Sequence, residues 1–197
     1  HDHTSSGLAL GTDGWLYISI GDWGIHNGKG SDGKGFQLYG GGILRARPDG
    51  SDAEVYCLGL RNTMDVAIDP ELNVFMRDNT NDGGGWNVRS THIWQSGQYG
   101  YPNLFKNYFE ETLSCMADHG GGAPCGAIFY NEPGLREEDR GQLLFCDWGR
   151  ATVFRYDLKR KGATYEMQQN DWQKGPAPCR PIDIQPDAIG NVYMADW

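Results

Sequence analysis

The chain has 197 residues, with 29 Gly, 7 Trp, 10 Tyr, 22% charged residues and a formal net charge of −9. That length supports one substantial core, and the wealth of turn formers and aromatic residues favours many short strands over a helical bundle. The acidic balance excludes the basic stripe that nucleic acid or an anionic membrane requires, and no apolar run is long enough for a membrane-spanning helix, so a neutral or cationic small molecule is the expected partner.

The chain opens with HDHTSSGLALGTDGWLYISIGDWG, residues 1–24, which reads as strand, tight turn, strand. Leu8 and Leu10 alternate with small residues, Thr12-Asp13-Gly14 has turn chemistry, and Trp15 to Ile20 is a β-rich run closed by Gly21. A hairpin brings its open end together, so His3 at the mouth and Asp22 nineteen positions on are expected to meet. Asp22 would then accept the proton of one imidazole nitrogen, fix the tautomer and leave the other nitrogen as a base. A Gly-, Lys- and Asp-rich loop from Asp22 to Gly42 follows, then β runs at 42–47 and 54–57. The segments 65–68 and 73–79 form the next strand pair, and NTNDGGG at 79–85 is a compact polar loop. An insertion at 103–124 holds a short helical candidate, 104–113, and ends in His119 and three glycines. Further β runs fall at 127–130, 142–148 and 152–158, a Pro/Gln-rich connector spans 168–178, and a last strand pair covers 181–184 and 191–197.

Four of these segments share one design, a turn followed by a short β run and an aspartate, and the aspartates Asp22, Asp78, Asp147 and Asp196 lie 56, 69 and 49 residues apart. Steps of that size are the period of propeller blades with loops of varying length. The expectation is an all-β chain, a partial β-propeller of about three and a half four-stranded blades at roughly 1–60, 61–100, 123–170 and 178–197, belonging to a longer protein whose closed ring removes the sheet edges.

The loops at one end of these units carry the chemistry: His3, Asp22, the pair Arg61-Asn62, the 78–82 loop, Arg150 and Arg180. Arginines at a channel mouth suit a small ligand bearing carboxylates, and the loop's oxygens suit a hard cation such as Ca²⁺. The five cysteines have no metal-binding spacing. Cys115 and Cys125 bracket a loop and would pair in an oxidising compartment or remain thiols.

The order HTSSGLALGTDGWLYISIGDWG, GGILRARPDG, GLRNTMDVAIDP, GQYGYP, APCGAIFY, GQLLFCDWGRATVFRYDL resembles the glucose/sorbosone dehydrogenase family, and within it the branch of membrane-bound dehydrogenase domains often joined to cytochrome c modules. These are six-bladed propellers that use pyrroloquinoline quinone (PQQ) and Ca²⁺. The resemblance implies that His3 is the catalytic base, oriented by Asp22, and that Asp2 and Asn27 contact substrate. It further implies that Arg61, Asn62, Asn79 and Arg180 hold the quinone, while backbone carbonyls of Thr80 and Asn81 hold the calcium. At the family's cofactor lysine stands Gly149, with Arg150 beside it as a stand-in, and the 78–87 loop is one residue shorter than the family's. The implied activity is oxidation of a sugar or polyol hydroxyl, with electrons passed to a cytochrome c or another acceptor, in the periplasm or outside the cell. Two rival readings remain: a propeller that binds carbohydrate or protein without catalysis, and a Ca²⁺-dependent lactonase-type hydrolase in which Asp22, Asn62, Asp78 and Asp147 converge on one metal.

Overall fold

Short β-forming runs broken by Asp and Gly fold back on one another in the computed structural model, which describes residues 3–80, 87–104 and 108–197. The first unit contains β1 (Ser5–Leu10), β2 (Leu16–Ile20), a projecting hairpin of β3 (Ile25–Lys29) and β4 (Gly35–Leu38), then β5 (Gly41–Ala46) and β6 (Glu54–Leu60). The second contains β7 (Asn62–Thr63), β8 (Ala67–Ile68), β9 (Val74–Asn79), β10 (Asn87–Ile93), β11 (Gly97–Gln98) and β12 (Ala117–Gly121). The third contains β13 (Pro124–Tyr130), β14 (Gln142–Asp147), β15 (Thr152–Lys161) and β16 (Thr164–Lys174), and the last β17 (Pro181–Pro186) and β18 (Val192–Asp196).

The hairpin corners show why the chain reverses where it does. Asp69 accepts the backbone N–H of Glu71 and Asn73, and Asp187 accepts those of Ile189 and Asn191. Asp13 likewise accepts from Trp15. Each carboxylate closes the turn by pairing backbone donors that would otherwise face water.

The strands assemble into sheets ordered β1-β2-β5-β6-β11, then β7 and β8 on β9 followed by β10 and β12, then β13-β14-β15-β16, and finally β17-β18. The innermost strands stand side by side, β1 against β8, β8 against β13 and β13 against β17. Their approach is close: Gly7 donates to the carbonyl of Met64 at 2.7 Å, and a Cβ added at Gly7 would lie 2.0 Å from an Asp65 oxygen. Apolar faces of successive sheets interleave. Tyr17, Ile43 and Leu60 pack on Val74, Met76 and Ile93, while Phe75 and Ala67 pack on Leu143 and Phe145. Sheets that share a face with each neighbour and converge on their first strands form a partial β-propeller.

The second and third sheets extend further than the sequence predicts. The insertion beyond residue 103 supplies β12, whose Ala117 and Asp118 pair with Ser90 and Arg89 of β10. Strand β10 is hidden in the sequence because most of its buried residues are polar, and three of them find separate partners, Arg89 in Asp78, Ser90 in His119 and His92 in Thr164, while the buried Thr91 hydroxyl has no hydrogen-bond partner among the described residues. The helical candidate at 104–113 is represented among the described residues by a turn in which Tyr108 donates to the Leu104 carbonyl and by a 3-10 helix, Phe109–Glu111. Most of the connector at 168–178 is strand β16, polar because it is the outer edge of its sheet, with Gln169 accepting from the Tyr156 hydroxyl at 2.6 Å. All five cysteines are thiols, so Cys115 and Cys125 do not pair.

The recurring aspartate closes each sheet at one end. Asp78, fully buried at the end of β9, accepts the backbone N–H of Arg61 at 2.9 Å and two hydrogen bonds from the Arg89 guanidinium at 2.8 and 3.2 Å. Asp147, at the end of β14, accepts from Ala123 N at 3.0 Å, Arg150 N at 3.1 Å and Arg77 Nη2 at 3.0 Å. Asp196, at the end of β18, accepts from Arg180 N. In each case the carboxylate fixes the residue that leads into the innermost strand of its own sheet. Replacing Asp78 by Ala leaves Arg89 buried without its counter-charge, so chemical denaturation is expected to show a loss of about 3–5 kcal/mol; a loss below about 1 kcal/mol would contradict this role.

Candidate functional site

The residues leading into the four innermost strands are His3, Arg61, Ala123 and Arg180. Because the sheets repeat, all four stand at the aspartate-bearing end. In the first sheet the aspartate binds a side chain instead of a backbone N–H: His3 Nδ1 lies 2.5 Å from Asp22 Oδ1, with both side chains about four-fifths shielded. The hairpin places them, since Trp23 N donates to the His3 carbonyl at 3.2 Å and Gly21 N to that of Thr4 at 2.9 Å. A Cβ on Gly21 would lie 2.7 Å from the His3 carbonyl carbon, so only glycine lets the two strands close to this distance.

Two further residues reach the same carboxylate. The Tyr101 hydroxyl donates to Asp22 Oδ2 at 3.1 Å, and Arg61 Nε lies 3.9 Å from that oxygen. The Arg61 guanidinium, buried with 6% exposure, also donates from Nη1 to Asn79 Oδ1 at 2.9 Å. Asn62 is paired in register with Asn79, and its side-chain oxygen is buried with no hydrogen-bond partner among the described residues. His3, Asp22, Arg61, Asn62 and Asn79 therefore form one corner between the first two sheets. The backbone N–H of Thr80, next to it, donates to the carbonyl of Asn87 at 2.9 Å. Asp2 and Asn81 lie outside the described residues.

Arg150 and Arg180 belong to a second corner, at the corresponding ends of the third and fourth sheets. The Arg150 guanidinium is engaged by backbone carbonyls of β12, from Nε to Gly121 at 2.6 Å and from Nη2 to His119 at 2.9 Å. The Arg180 guanidinium lies 4.9 Å over the Trp148 ring and donates to the Cys179 carbonyl at 2.8 Å. A Cβ at Gly149 would come within 3.1 Å of Ala123 N, so a longer side chain there would crowd the lead-in to β13. Asn27 sits apart from both corners, in an open cleft on the β3–β4 hairpin with Lys29, Phe36 and Gln37.

Asp78 and Asp147 do not converge with Asp22 on a metal position. Each is committed to an arginine within the sheets, and no group of three His, Cys, Asp or Glu residues that could hold a metal occurs among the described residues. The four-ligand arrangement of a lactonase-type metal site is therefore not formed by these residues.

Sequence reasoning missed Tyr101, although the motif GQYGYP marks it, and it missed Asp65. The innermost strands line a cavity of about 520 Å³ bounded by Gly7, Met64, Asp65, Gly126, Asp183 and neighbouring residues. Asp65 is buried at its wall, accepting from Val66 N and Ala127 N at 2.8 Å each. Burial, reinforced by Asp183 and opposed by those two hydrogen bonds, raises its pKa to about 7.

The family model for a domain of unknown function, DUF7133, matches residues 1–197. The chain belongs to that family. No curated protein matches it. Among solved structures it is similar to a Thermus thermophilus protein described as an oxidoreductase (glucose dehydrogenase), at 21% identity and TM-score 0.73, covering 96% of this chain and 59% of that one. It is also similar to the PQQ-bound aldose sugar dehydrogenase of Streptomyces coelicolor, at 22% identity and TM-score 0.65, covering 92% and 53%. A third is the soluble aldose sugar dehydrogenase of Escherichia coli in its apo form, at 16% identity and TM-score 0.69, covering 96% and 59%. These likenesses establish the propeller fold of this family member, and the chain spans about three-fifths or less of the length of each of the three.

The Asp65 carboxyl ¹³C resonance is expected to titrate near pH 7. Because the folded protein holds this proton more tightly than the unfolded chain, the stability it contributes is complete below about pH 4 and is lost as the pH rises to about 7. A titration midpoint near 4 would contradict the burial of this group.

Proposed function

We propose that this domain forms part of a PQQ-dependent dehydrogenase that oxidises a hydroxyl-bearing carbon of a sugar or polyol. The observation that carries this reading is the His3–Asp22 pair at 2.5 Å with Arg61, Asn62 and Asn79 in the same corner. The donor set suits a quinone bearing carboxylates and carbonyls. Arg61 supplies a buried cation, Asn62 a buried amide whose oxygen is unpartnered among the described residues, and Asn79 an amide that anchors the guanidinium. Arg180 would complete the cofactor's contacts from the fourth sheet, and carbonyls following Asn79, those of Thr80 and Asn81, would hold Ca²⁺. When bound, the quinone supplies the two-electron oxidant and Ca²⁺ polarises its carbonyl.

The protein's own part begins at the imidazole. Asp22 accepts the Nδ1 proton, which leaves Nε2 as the basic nitrogen, and the carboxylate stabilises the imidazolium formed when Nε2 takes the substrate's hydroxyl proton. Arg61, with Nε 3.9 Å from the same carboxylate, places a fixed positive charge beside it during that transfer. Asp2 and Asn27 are the proposed substrate contacts, a cytochrome c or another carrier the electron acceptor, and the periplasm or cell exterior the location.

A non-catalytic propeller that binds carbohydrate or protein is favoured by one observation: Gly149 offers no cationic side chain, and the neighbouring Arg150 is already engaged by two backbone carbonyls. Addition of PQQ and Ca²⁺ to the full-length protein separates the two. The dehydrogenase reading predicts a bound-quinone absorption band and dye-linked oxidation of sugars, with turnover reduced about 10²–10⁴-fold by His3→Ala. Quinone uptake with unchanged turnover in that variant would remove the base assignment, and absence of uptake would favour the binding module.

A further inference from the structure

The motif at 97–102, GQYGYP, has no role in the chemistry described above, yet it is built with care around one side chain. Strand β11 returns from the second unit to the first sheet and pairs parallel to β6, Gly97 opposite Cys57 and Gln98 opposite Leu58. Beyond it, Tyr99 N donates to the Leu58 carbonyl at 3.0 Å and Tyr101 N to the Gly59 carbonyl at 2.9 Å. Gln98 Oε1 accepts from Gly100 N at 2.9 Å, and it lies where a Cβ on Gly59 (φ +84°) would stand, 1.8 Å away. Tyr99 is pinned in turn, its hydroxyl donating to the His92 carbonyl at 2.9 Å and accepting from Trp94 N at 2.8 Å. The backbone that carries Tyr101 is thus fixed to the edge of the first sheet.

What it delivers is a hydroxyl donor for Asp22 Oδ2, the oxygen that His3 does not use. A carboxylate with one hydrogen bond rotates easily, because the torsion about its terminal bond is broad. The Arg61 Nε, at 3.9 Å, is beyond hydrogen-bonding distance and supplies charge without direction. Its guanidinium carbon stands 5.9 Å from the Tyr101 ring centroid, so the ring also backs the cation.

We infer that Tyr101 is a positioning residue: its hydrogen bond to Oδ2 fixes the plane of the Asp22 carboxylate and thereby holds His3 in the Nδ1–H tautomer. This rests on the reading of His3 as a base, because that tautomer is the one that presents Nε2 as a proton acceptor. The imidazole faces the Asp22 carboxylate, and the described elements place Arg61 and the Tyr101 hydroxyl against that carboxylate's other oxygen.

The test needs no cofactor. In full-length protein labelled with ¹⁵N-histidine and held above the imidazole pKa, nitrogen chemical shifts report the tautomer of His3 directly. Wild type is expected to be mainly Nδ1–H, and Asp22→Ala is expected to lose that preference. Tyr101→Phe keeps the ring and removes only the hydroxyl, and its Nε2–H population is expected to rise about fivefold, the equivalent of one neutral hydrogen bond, with the thermal transition and the remaining spectrum retained. A wild-type tautomer ratio in Tyr101→Phe beside an altered one in Asp22→Ala would overturn the role of Tyr101 and leave the base assignment standing. A wild-type ratio in both variants would overturn both.

Discussion

The carboxylate at the end of each sheet's second strand is the interaction on which the rest of the structure depends. A propeller sheet is anchored by its neighbours along its faces, but its innermost strand has to be led in from a loop, and that loop has no ladder of its own. Asp78, Asp147 and Asp196 supply the missing partner by accepting the backbone N–H of the residue ahead of that strand. The charge must then be balanced inside the protein. Arg89 does so within the second sheet, whereas Arg77 reaches across from the second sheet to Asp147 in the third. Buried pairs of this kind add little net stability. Their effect is placement, because four lead residues are held at one end of the molecule.

The first sheet departs from this scheme, and its departure is the candidate site. There the aspartate turns from backbone to side chain and takes the His3 imidazole. The neighbouring lead residue, Arg61, commits its backbone N–H to Asp78, and its guanidinium extends toward Asp22 and Asn79. One structural device thus yields an anchored strand in one sheet and a hydrogen-bonded imidazole–carboxylate pair in its neighbour. The third sheet, with Ala123 at the lead position and Gly149 beyond its aspartate, contributes no such side chain. Its arginine, Arg150, ties the third sheet to β12.

Much of this was legible in the sequence because it repeats. The turn, β run and aspartate recur, so the partial propeller and the hairpin that joins His3 to Asp22 follow from local pattern. Strands β10, β12 and β16 did not follow. β10 buries Arg89, Ser90 and His92, whose partners are distant in sequence, and a polar buried strand has no apolar alternation to betray it. β12 is separated from its sheet by an insertion, and β16 reads as a linker because an edge strand exposes its glutamines. The role of Tyr101 was invisible for a similar reason: it lies 79 residues from Asp22 and meets it only because β11 crosses back to the first sheet.

Under the proposed function, the lead residues His3, Arg61 and Arg180 form a mouth that grips a small anionic quinone. Fluorescence titration of the tryptophans with PQQ in the presence of Ca²⁺, comparing full-length wild type with Arg61→Ala, tests it most directly, since that substitution removes the guanidinium and leaves the backbone bond to Asp78 in place. Binding by wild type with dissociation about 10–100-fold weaker in the variant, the equivalent of one charge-assisted hydrogen bond, is the predicted result. Equal affinity in the two proteins, with the variant folded, would contradict it.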